Sequence, residues 1–263
     1  MKQQKQMYHL ALVVGVLLGT HNAFAAESKD QNGNGARLQD YQGGFFYGFG
    51  LGVSQSIYYG EKREIVPLPL IGYYGADLTV LGPFISYKIY KNEIFSFHAL
   101  TQPRFNEYDS SDSDIFRGME DRDETLEAGF GISIDLGDWD FGVNAQHDVL
   151  GKHKGYELSA SVDYELMFGK VSMTSSLGVK YLSEKFVDYY YGVEKKEAMI
   201  DRPFYEGEEA INPGVGISFE MQALGGFAKF GLDYTWYDDA ITDSPLVEHS
   251  SALGAHLVYT RFF

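Results

Sequence analysis

The chain has 263 residues, a net charge of −16 and no cysteine, while 16% of its residues are aromatic and 30 are glycine. A chain this acidic should repel nucleic acid, and the lack of cysteine excludes a disulfide framework but suits an oxidising compartment such as the periplasm. The strand-forming aromatic residues and the many glycines favour a β-barrel over a helical domain.

The N-terminal residues have the three parts of a secretory signal peptide. Two lysines lie among the first five residues, residues 10–18 are an apolar run, and an Ala-Phe-Ala cleavage sequence ends at Ala25. A helix needs about 20 apolar residues to span a bilayer, so an N-terminal anchor is the less favoured alternative. We therefore predict a signal peptide over 1–25, followed by a flexible periplasmic leader over 26–43, which is rich in polar residues.

From residue 44 to the C-terminus, apolar residues alternate with polar residues or glycine in segments of about ten residues, the length of a tilted membrane strand. Pro67 and Pro69 interrupt the second segment, and proline removes donors from a strand ladder. The alternative is therefore a ten-stranded barrel, in which part of 64–82 folds inward or lies as a loop. The favoured prediction is twelve strands, at roughly 45–57, 64–74, 76–82, 83–91, 94–106, 125–136, 139–149, 156–168, 170–184, 212–223, 227–238 and 251–263.

The connections between these segments alternate between tight turns and long polar stretches, as in outer-membrane barrels with short periplasmic turns and long outer loops. A soluble β-sandwich also alternates, but here the long apolar faces end in aromatic residues, which resembles a lipid-facing band with aromatic girdles. We therefore predict an all-β, transmembrane, antiparallel up-and-down barrel with both termini in the periplasm, over 44–263. The tight turns are 137–138, 168–170 and 224–226, and the long loops are 107–124, 150–155, 186–209 and 239–250.

The last segment ends the chain on an alternating aromatic face. Tyr259 and the terminal Phe263 lie on this face, which resembles the C-terminal signal that the barrel-assembly machinery reads in outer-membrane proteins. Arg261 departs from the pattern, because an aromatic residue is usual there, and Phe262 supplies one only in a shifted register. We predict an assembly signal at Tyr259 and Phe263.

The polar faces of the strands should point into the lumen, where charges must be hydrated or paired. Twelve strands fall between a barrel filled by its side chains and one that holds an aqueous channel. An open lumen with excess carboxylates would favour cations, whereas ion pairs with Arg104, Lys88, Lys180 and Lys229 would plug it. The predicted lumen-facing charges are Glu127, Asp135, Asp140, Glu157, Asp163, Glu165, Lys180, Glu220, Lys229 and Asp233.

The loops contain three weaker candidates for chemistry or binding. Asp109, Asp112 and Asp114 could bind a divalent cation that bridges to lipopolysaccharide phosphates, but they lack the spacing of an EF-hand, and a solvated loop is the simpler interpretation. His147 with its neighbour Asp148 lies at an outer strand end, but nothing in the sequence supplies further catalytic partners, so we predict no enzyme activity and no cofactor. The aromatic residues of 186–209 could anchor a partner or fold inward to cap the barrel.

Five short motifs, in order along the chain, resemble those of the MipA/OmpV family, the MltA-interacting outer-membrane proteins. The resemblance implies an outer-membrane barrel without established catalytic residues. It also implies a scaffold that joins a murein-degrading lytic transglycosylase to a murein synthase, or an immunogenic porin-like protein or adhesin. The motifs are Gly-Phe-Gly-Leu-Gly-Val at 48–53 followed by Tyr-Tyr-Gly at 58–60, Val-Pro-Leu-Pro-Leu-Ile at 66–71, Thr-Leu-Glu-Ala-Gly at 125–129, Tyr-Tyr-Tyr-Gly-Val at 189–193 and Asp-Ser-Pro-Leu-Val at 243–247.

Together, the residues and the resemblance predict an exported protein of the Gram-negative outer membrane that acts as a scaffold for murein enzymes. A small-solute or cation-preferring channel is the first alternative, and a surface adhesin is the second. The predicted partners are outer-membrane lipid and lipopolysaccharide, the barrel-assembly machinery, a lytic transglycosylase and a murein synthase. A scaffold needs periplasmic surface, of which the tight turns offer little.

Overall fold

The computed structural model describes residues 43–61, 64–105 and 108–263. Twelve antiparallel strands form a closed barrel in which sequence neighbours pair and β12 pairs with β1. This confirms the predicted up-and-down barrel. The strands are β1 (Gly44–Ser54), β2 (Glu64–Tyr74), β3 (Leu78–Leu81), β4 (Phe84–Lys91), β5 (Phe95–Arg104), β6 (Thr125–Leu136), β7 (Trp139–Asp148), β8 (Tyr156–Phe168), β9 (Val171–Leu182), β10 (Ala210–Ala223), β11 (Gly226–Trp236) and β12 (Ser251–Phe262).

The ten-stranded alternative is wrong, because 64–82 lies in the barrel wall. Strand β2 pairs with β1 without a break, from Gly44↔Tyr74 to Ser54↔Glu64. Gly75, just after β2, donates its N–H to the Leu78 carbonyl on the β3 side at 2.9 Å. Alternate residues of a strand direct their N–H groups to the same side, so Pro67 and Pro69 also face β3 and cost the β1 ladder no donor.

Side chains alternate between an apolar outer face and a mostly polar inner face along most of the strands. On β7, Phe141 and Val143 are exposed on the outside, whereas Asn144 and Gln146 are 3% and 2% exposed on the inside. A period of two residues places every second side chain on the same face of the wall. The barrel therefore has an apolar outer surface that suits lipid.

The two ends of the barrel differ in the length of their connections. At one end, which we call the turn end, the chain reverses in tight turns, where Gly137, Gly169 and Gly225 adopt φ angles of 79°, 63° and 77° that glycine tolerates without strain. The connections at the turn end are 75–77, 92–94, 137–138, 169–170 and 224–225. The connections at the opposite loop end are 55–63, 82–83, 105–124, 149–155, 183–209 and 237–250.

Short helices lie within the long connections of the loop end. Helix α1 (Glu184–Tyr191) follows β9, and the one-turn helix α2 (Asp239–Thr242) follows β11. A 3-10 turn (Asp114–Phe116) lies between β5 and β6. None of the helices in the described ranges has the length and apolar character needed to cross a membrane.

The wall is incomplete beside the short hairpin of β3 and β4. Strand β3 pairs with β2 only at Gly72–Tyr74, and β4 pairs with β5 only as far as Thr101. In the described part of the chain, 64–71 of β2 and 102–104 of β5 therefore have no strand partner on their facing edges. We call this opening, which lies between the hairpin and the loop end, the wall gap.

Candidate functional site

The loop end is closed by a packed apolar core, which we call the cap. Four long connections meet there, and Tyr58 lies at their junction, with ring centroids 5.7 Å from Tyr191, 5.3 Å from Tyr108 and 5.6 Å from Phe116. Such stacked and edge-on contacts add to the free energy gained by burying the rings. The buried residues of the cap are Ile57, Tyr58, Tyr108, Phe116, Met119, Leu182, Phe186, Val187, Tyr190, Tyr191, Val193, Ala210, Ile241, Leu246, Val247 and Ala252.

Hydrogen bonds fix the loops of the cap to one another. The Tyr59 N–H donates to the Leu246 carbonyl at 3.0 Å, and the Ser113 hydroxyl donates to the Tyr59 carbonyl at 2.7 Å. The Ser244 hydroxyl donates to the Tyr191 carbonyl at 2.6 Å. Because each bond joins two different connections, the cap is one structure rather than four independent loops.

Two buried arginines anchor the backbone of the cap. Arg122 donates to the carbonyls of Tyr189 at 2.6 Å and Glu120 at 2.8 Å, and its guanidinium lies 3.5 Å from the Glu197 carboxylate. Burial lowers the pKa of Arg122, but the interactions with Tyr108, Glu197 and Tyr189 outweigh it and raise that pKa above its ordinary value. Arg202 is 1% exposed and donates to the carbonyls of Glu197, Arg117 and Ile115.

Below the cap, Arg104 on β5 joins three strands in a buried ion network. Its guanidinium donates to both oxygens of Glu127 at 3.2 and 2.9 Å and to Glu157 at 2.8 Å. His153 lies 3.2 Å from Glu127, and Lys180 lies 3.7 Å from Glu157. Opposite charges at these distances offset the cost of removing them from water.

The same arginine also ties the barrel to the cap. Its guanidinium lies 4.6 Å from the ring centroid of Phe186 on α1, a cation–π contact. His153 packs edge-on against Phe186 at 4.9 Å, and its Nδ1 accepts the Gly155 N–H at 3.0 Å. The ion network therefore lies directly beneath the cap and in contact with it.

The remaining predicted lumen charges are spread along the inner wall. Asp163 and Glu165 accept hydrogen bonds from Ser176 and Ser172, and Asp233 lies 3.6 Å from His256. Glu220 and Lys229 occupy facing register positions on β10 and β11. Asp135 and Asp140 line a cavity of about 30 Å³ near the turn end, together with Lys88, Lys91, Asn92, Glu93, Ile94, Phe95, Ser96 and Ser133.

A second, apolar cluster covers another part of the inner face. Its members lie on β1 to β4, β11 and β12, and Phe105 and Val258 pack against it. The lumen therefore has a polar wall, which carries the ion network, and an apolar wall beside the wall gap. The buried residues of the apolar wall are Phe46, Leu68, Leu70, Tyr74, Leu81, Phe84, Phe227 and Phe262.

The loop candidates have structural contacts in the described residues. Asp112 accepts the backbone N–H of Asp109 at 2.8 Å, and Asp114 pairs with Arg117. Within the described ranges, no three His, Cys, Asp or Glu side chains form a group that could hold a metal. The cation site at Asp109, Asp112 and Asp114 stays a prediction.

The candidate pair at the end of β7 is divided by the barrel wall. His147 is exposed, whereas Asp148 is 3% exposed and faces inward. Asp148 accepts the N–H groups of Leu150 and Gly151 at 3.0 Å and of Lys154 at 2.8 Å, so it shapes the following loop. The His147 imidazole and the Asp148 carboxylate therefore lie on opposite faces of the wall and do not face each other as a catalytic pair would.

The terminal residues lie at the turn end, next to β1. The Tyr259 ring lies 5.9 Å from Phe49, and its hydroxyl donates to the Leu224 carbonyl at 3.0 Å. Phe263 is 86% exposed, and its N–H donates to the Phe45 carbonyl at 3.1 Å. Phe262 is buried and lies on the opposite face of β12 from Tyr259 and Phe263. The assembly signal itself stays a prediction.

The signal peptide over 1–25 and nearly all of the leader over 26–43 lie outside the described residues. Other parts of the site were missed because they have no local sequence pattern. The Arg122 and Arg202 anchors are single arginines in polar loops, and only the folded loops bury them. Arg104, by contrast, was among the basic residues expected to neutralise the lumen.

Comparison with known proteins gives a consistent match along the barrel. The family described as MltA-interacting protein MipA matches residues 47–263. The chain is 26% identical to the outer membrane protein Omp26La of Vibrio anguillarum, across 96% of this chain and 99% of that protein. It is 27% identical to the MltA-interacting protein of Escherichia coli strain K12, across 80% of this chain and 86% of that protein.

Among solved structures, the barrel is similar to the NanC porin. The match covers 82% of this chain and 99% of the porin, with a TM-score of 0.42 and 8% sequence identity. The family match covers the barrel from Tyr47 in β1 to the last residue.

Proposed function

Because the chain belongs to the MltA-interacting protein MipA family and is a barrel of the outer membrane, we propose that it is an interaction protein for murein enzymes. It would bind a murein-degrading transglycosylase, and a murein synthase as a second partner, on the periplasmic side. The relative from Escherichia coli is named for its interaction with MltA, which supports a partner of this class.

The closed loop end is the observation that carries this proposal over a permanently open pore. In outer-membrane barrels the long loops face the outside, so the cap lies at the outer mouth. The packed aromatic core around Tyr58 joins the loops over this mouth, and the ion network of Arg104, Glu127 and Glu157 lies beneath it, which supports a blocked path for solutes. A barrel built this way would serve as a membrane anchor for a partner without conducting.

The partner would contact the turn end and the leader over 26–43. The turns at 137–138, 169–170 and 224–225 are too short to form a large surface by themselves. A stable protein–protein interface usually buries about 1,200–2,000 Å² in total. The leader would therefore supply much of the contact area, while the turns fix its position next to the membrane.

Capture of purified enzymes by the refolded full-length mature barrel tests this proposal. The wild type should retain a lytic transglycosylase and a murein synthase, and replacing the leader with a Gly/Ser segment of equal length should weaken the capture. Asp138→Lys probes the turn end, and Lys152→Ala at the loop end is the matched control that should leave capture unchanged. Failure of the wild type to retain either enzyme would overturn the proposal.

A cation-preferring channel is the second candidate, favoured by the carboxylates along the polar wall. Asp135, Asp140 and Asp163 would attract cations if the cap opened. Planar-bilayer recordings should show a silent wild type if the interaction role is correct, and discrete cation-selective steps if the channel role is correct. The adhesin alternative stays a prediction, which deletion of the loop residues outside the cap core would test.

A further inference from the structure

We propose that the wall gap is a binding site for an acyl chain of an outer-leaflet lipid. The gap is bounded by 64–71 of β2, by 102–104 of β5 and, towards the turn end, by the β3–β4 hairpin. Three strand spacings separate β2 from β5 at the hairpin, which is about 14 Å. The gap lies on the loop-end side of the hairpin, so it faces the outer half of the membrane.

The edges of the wall gap cannot pair with another strand in the usual way, because prolines occupy them. The Gly75 N–H points towards β3, where it donates to the Leu78 carbonyl, and every second residue of β2 points the same way. The nitrogens of Pro67 and Pro69, which carry no hydrogen, therefore face the gap. On β5, the Phe95 carbonyl accepts the Asn92 N–H at 2.8 Å on the β4 side. Pro103 lies an even number of residues after Phe95, and β5 pairs with β6 without a break between them. The backbone of Pro103 therefore points to the same side as that of Phe95, into the gap.

The floor of the wall gap is likewise closed to pairing. Pro83 lies in the hairpin turn, and its carbonyl accepts the Thr101 hydroxyl at 2.9 Å. The Ile85 N–H donates to the same Thr101 oxygen at 3.2 Å. A sheet edge in lipid is unfavourable when its donors are unsatisfied, and prolines on both sides remove donors that would otherwise face hydrocarbon. These edges keep their carbonyl acceptors but lack several of the donors that a pairing peptide strand needs.

The β2 side of the gap is apolar from the membrane to the lumen. On the outside, Ile65 and Ile71 are 72% and 71% exposed and continue the lipid-facing surface. On the inside, Leu68 and Leu70 of β2 belong to the apolar wall, and Phe105, the first residue after β5, packs against that wall. An acyl chain entering from the membrane would meet Phe105 and these leucines. Arg104, at the β5 edge of the gap, directs its guanidinium to Glu127 and Glu157 on β6 and β8, on the side of β5 away from β2.

The chain contains no cysteine, so single labelled cysteines can test whether an acyl chain enters the wall. The full mature barrel would be refolded into phosphatidylcholine vesicles with or without bromine atoms on the acyl chains. A bimane fluorophore would be placed at Leu70→Cys, behind the gap, and at Ile71→Cys as an outward positive control. Asn144→Cys, buried on the polar wall, is the matched inward control.

Brominated lipid should quench the fluorophore at position 70 nearly as strongly as at position 71, and should leave position 144 unchanged. Phe105→Ala should increase the quenching at position 70, because it widens the inner end of the gap. Heat-modifiable migration on a gel would verify folding, and Leu68→Cys replaces Leu70→Cys if the latter does not fold. Equal quenching at positions 70 and 144, whether strong or absent, would overturn the proposal. A disulfide that links two copies of the unlabelled Ile71→Cys variant would also overturn it, because a second copy of the chain would then cover the gap.

Discussion

The two walls of the lumen bury their inner faces by different physical means. The polar wall carries charges such as Arg104, Glu127 and Glu157, which are stable only because they pair with one another. The apolar wall buries leucines and aromatic rings, which need no specific partner. The comparison shows why the polar wall can hold the cap in one position through Arg104, whereas the wall gap opens where the apolar wall on β2 meets the β5 edge of the polar wall.

The largest effect should come from removing the cation at the centre of the polar wall. Arg104→Ala leaves Glu127 and Glu157 buried without their main partner, and breaking a buried pair in this way costs about 3–5 kcal/mol. We expect this loss in the free energy of unfolding, measured by urea titration of the barrel in vesicles. We also expect the cap to loosen, so that proteases cut within 183–209.

The exposed pair of Lys152 and Asp123 provides the control for that substitution. These side chains lie 2.6 Å apart but are largely accessible to solvent. Surface pairs of this kind contribute little, so Lys152→Ala should leave the urea midpoint unchanged. An Arg104→Ala barrel as stable as the Lys152→Ala barrel would contradict the structural role assigned to the polar wall.

The cap core should give the next largest effect. Tyr58→Ala removes the ring that joins Tyr191, Tyr108 and Phe116 and leaves a cavity, at a cost of about 3 kcal/mol. Since the cap is built from loops, proteolysis of the loop end should accelerate more than the urea midpoint shifts. Tyr58→Phe keeps the ring and should restore resistance, while an unchanged cleavage rate in Tyr58→Ala would show that the cap does not depend on this junction.

The apolar wall should respond less to a comparable truncation. Leu68→Ala removes buried methyl groups beside the wall gap, and we expect a loss of about 2 kcal/mol, at the low end for such changes, because lipid can fill the space. Urea titration in short-chain and long-chain phosphatidylcholine vesicles would measure it. A loss as large as that of Arg104→Ala would remove the distinction between the two walls.

The smallest effect should be a pH dependence at the surface of the cap. The hydrogen bond and charge of Lys196 lower the pKa of Glu120 from its ordinary value near 4.5. A carboxyl with a depressed pKa contributes stability above its unfolded pKa and loses it as the pH falls through the folded value. Cleavage of 105–124 by an acid-active protease should therefore rise below about pH 4.5, and Lys196→Ala should flatten that profile.

Period-two alternation was sufficient to predict most of the wall. In β7 and β8, every second residue is apolar, and lipid outside with a polar lumen inside admits only one orientation of such a strand. The sequence also placed the tight turns, since glycine supports left-handed φ angles at Gly137, Gly169 and Gly225. Arg104 could be predicted to meet carboxylates, because the inner faces carry many acidic side chains.

The tertiary structure alone decided the cap, the network geometry and the wall gap. Tyr58, Arg122 and Arg202 lie in loops without periodicity, and their burial depends on distant residues, as in the bridge between Tyr58 and Val247. Pro67 and Pro69 indicated that the strand pairing of β2 is interrupted. Only the structure shows that the interruption is on the β3 side and that the pairing with β1 is complete. A strand's own sequence determines which face is apolar, whereas the partners of its edges and of its loops are determined by distant segments that meet only in the closed barrel.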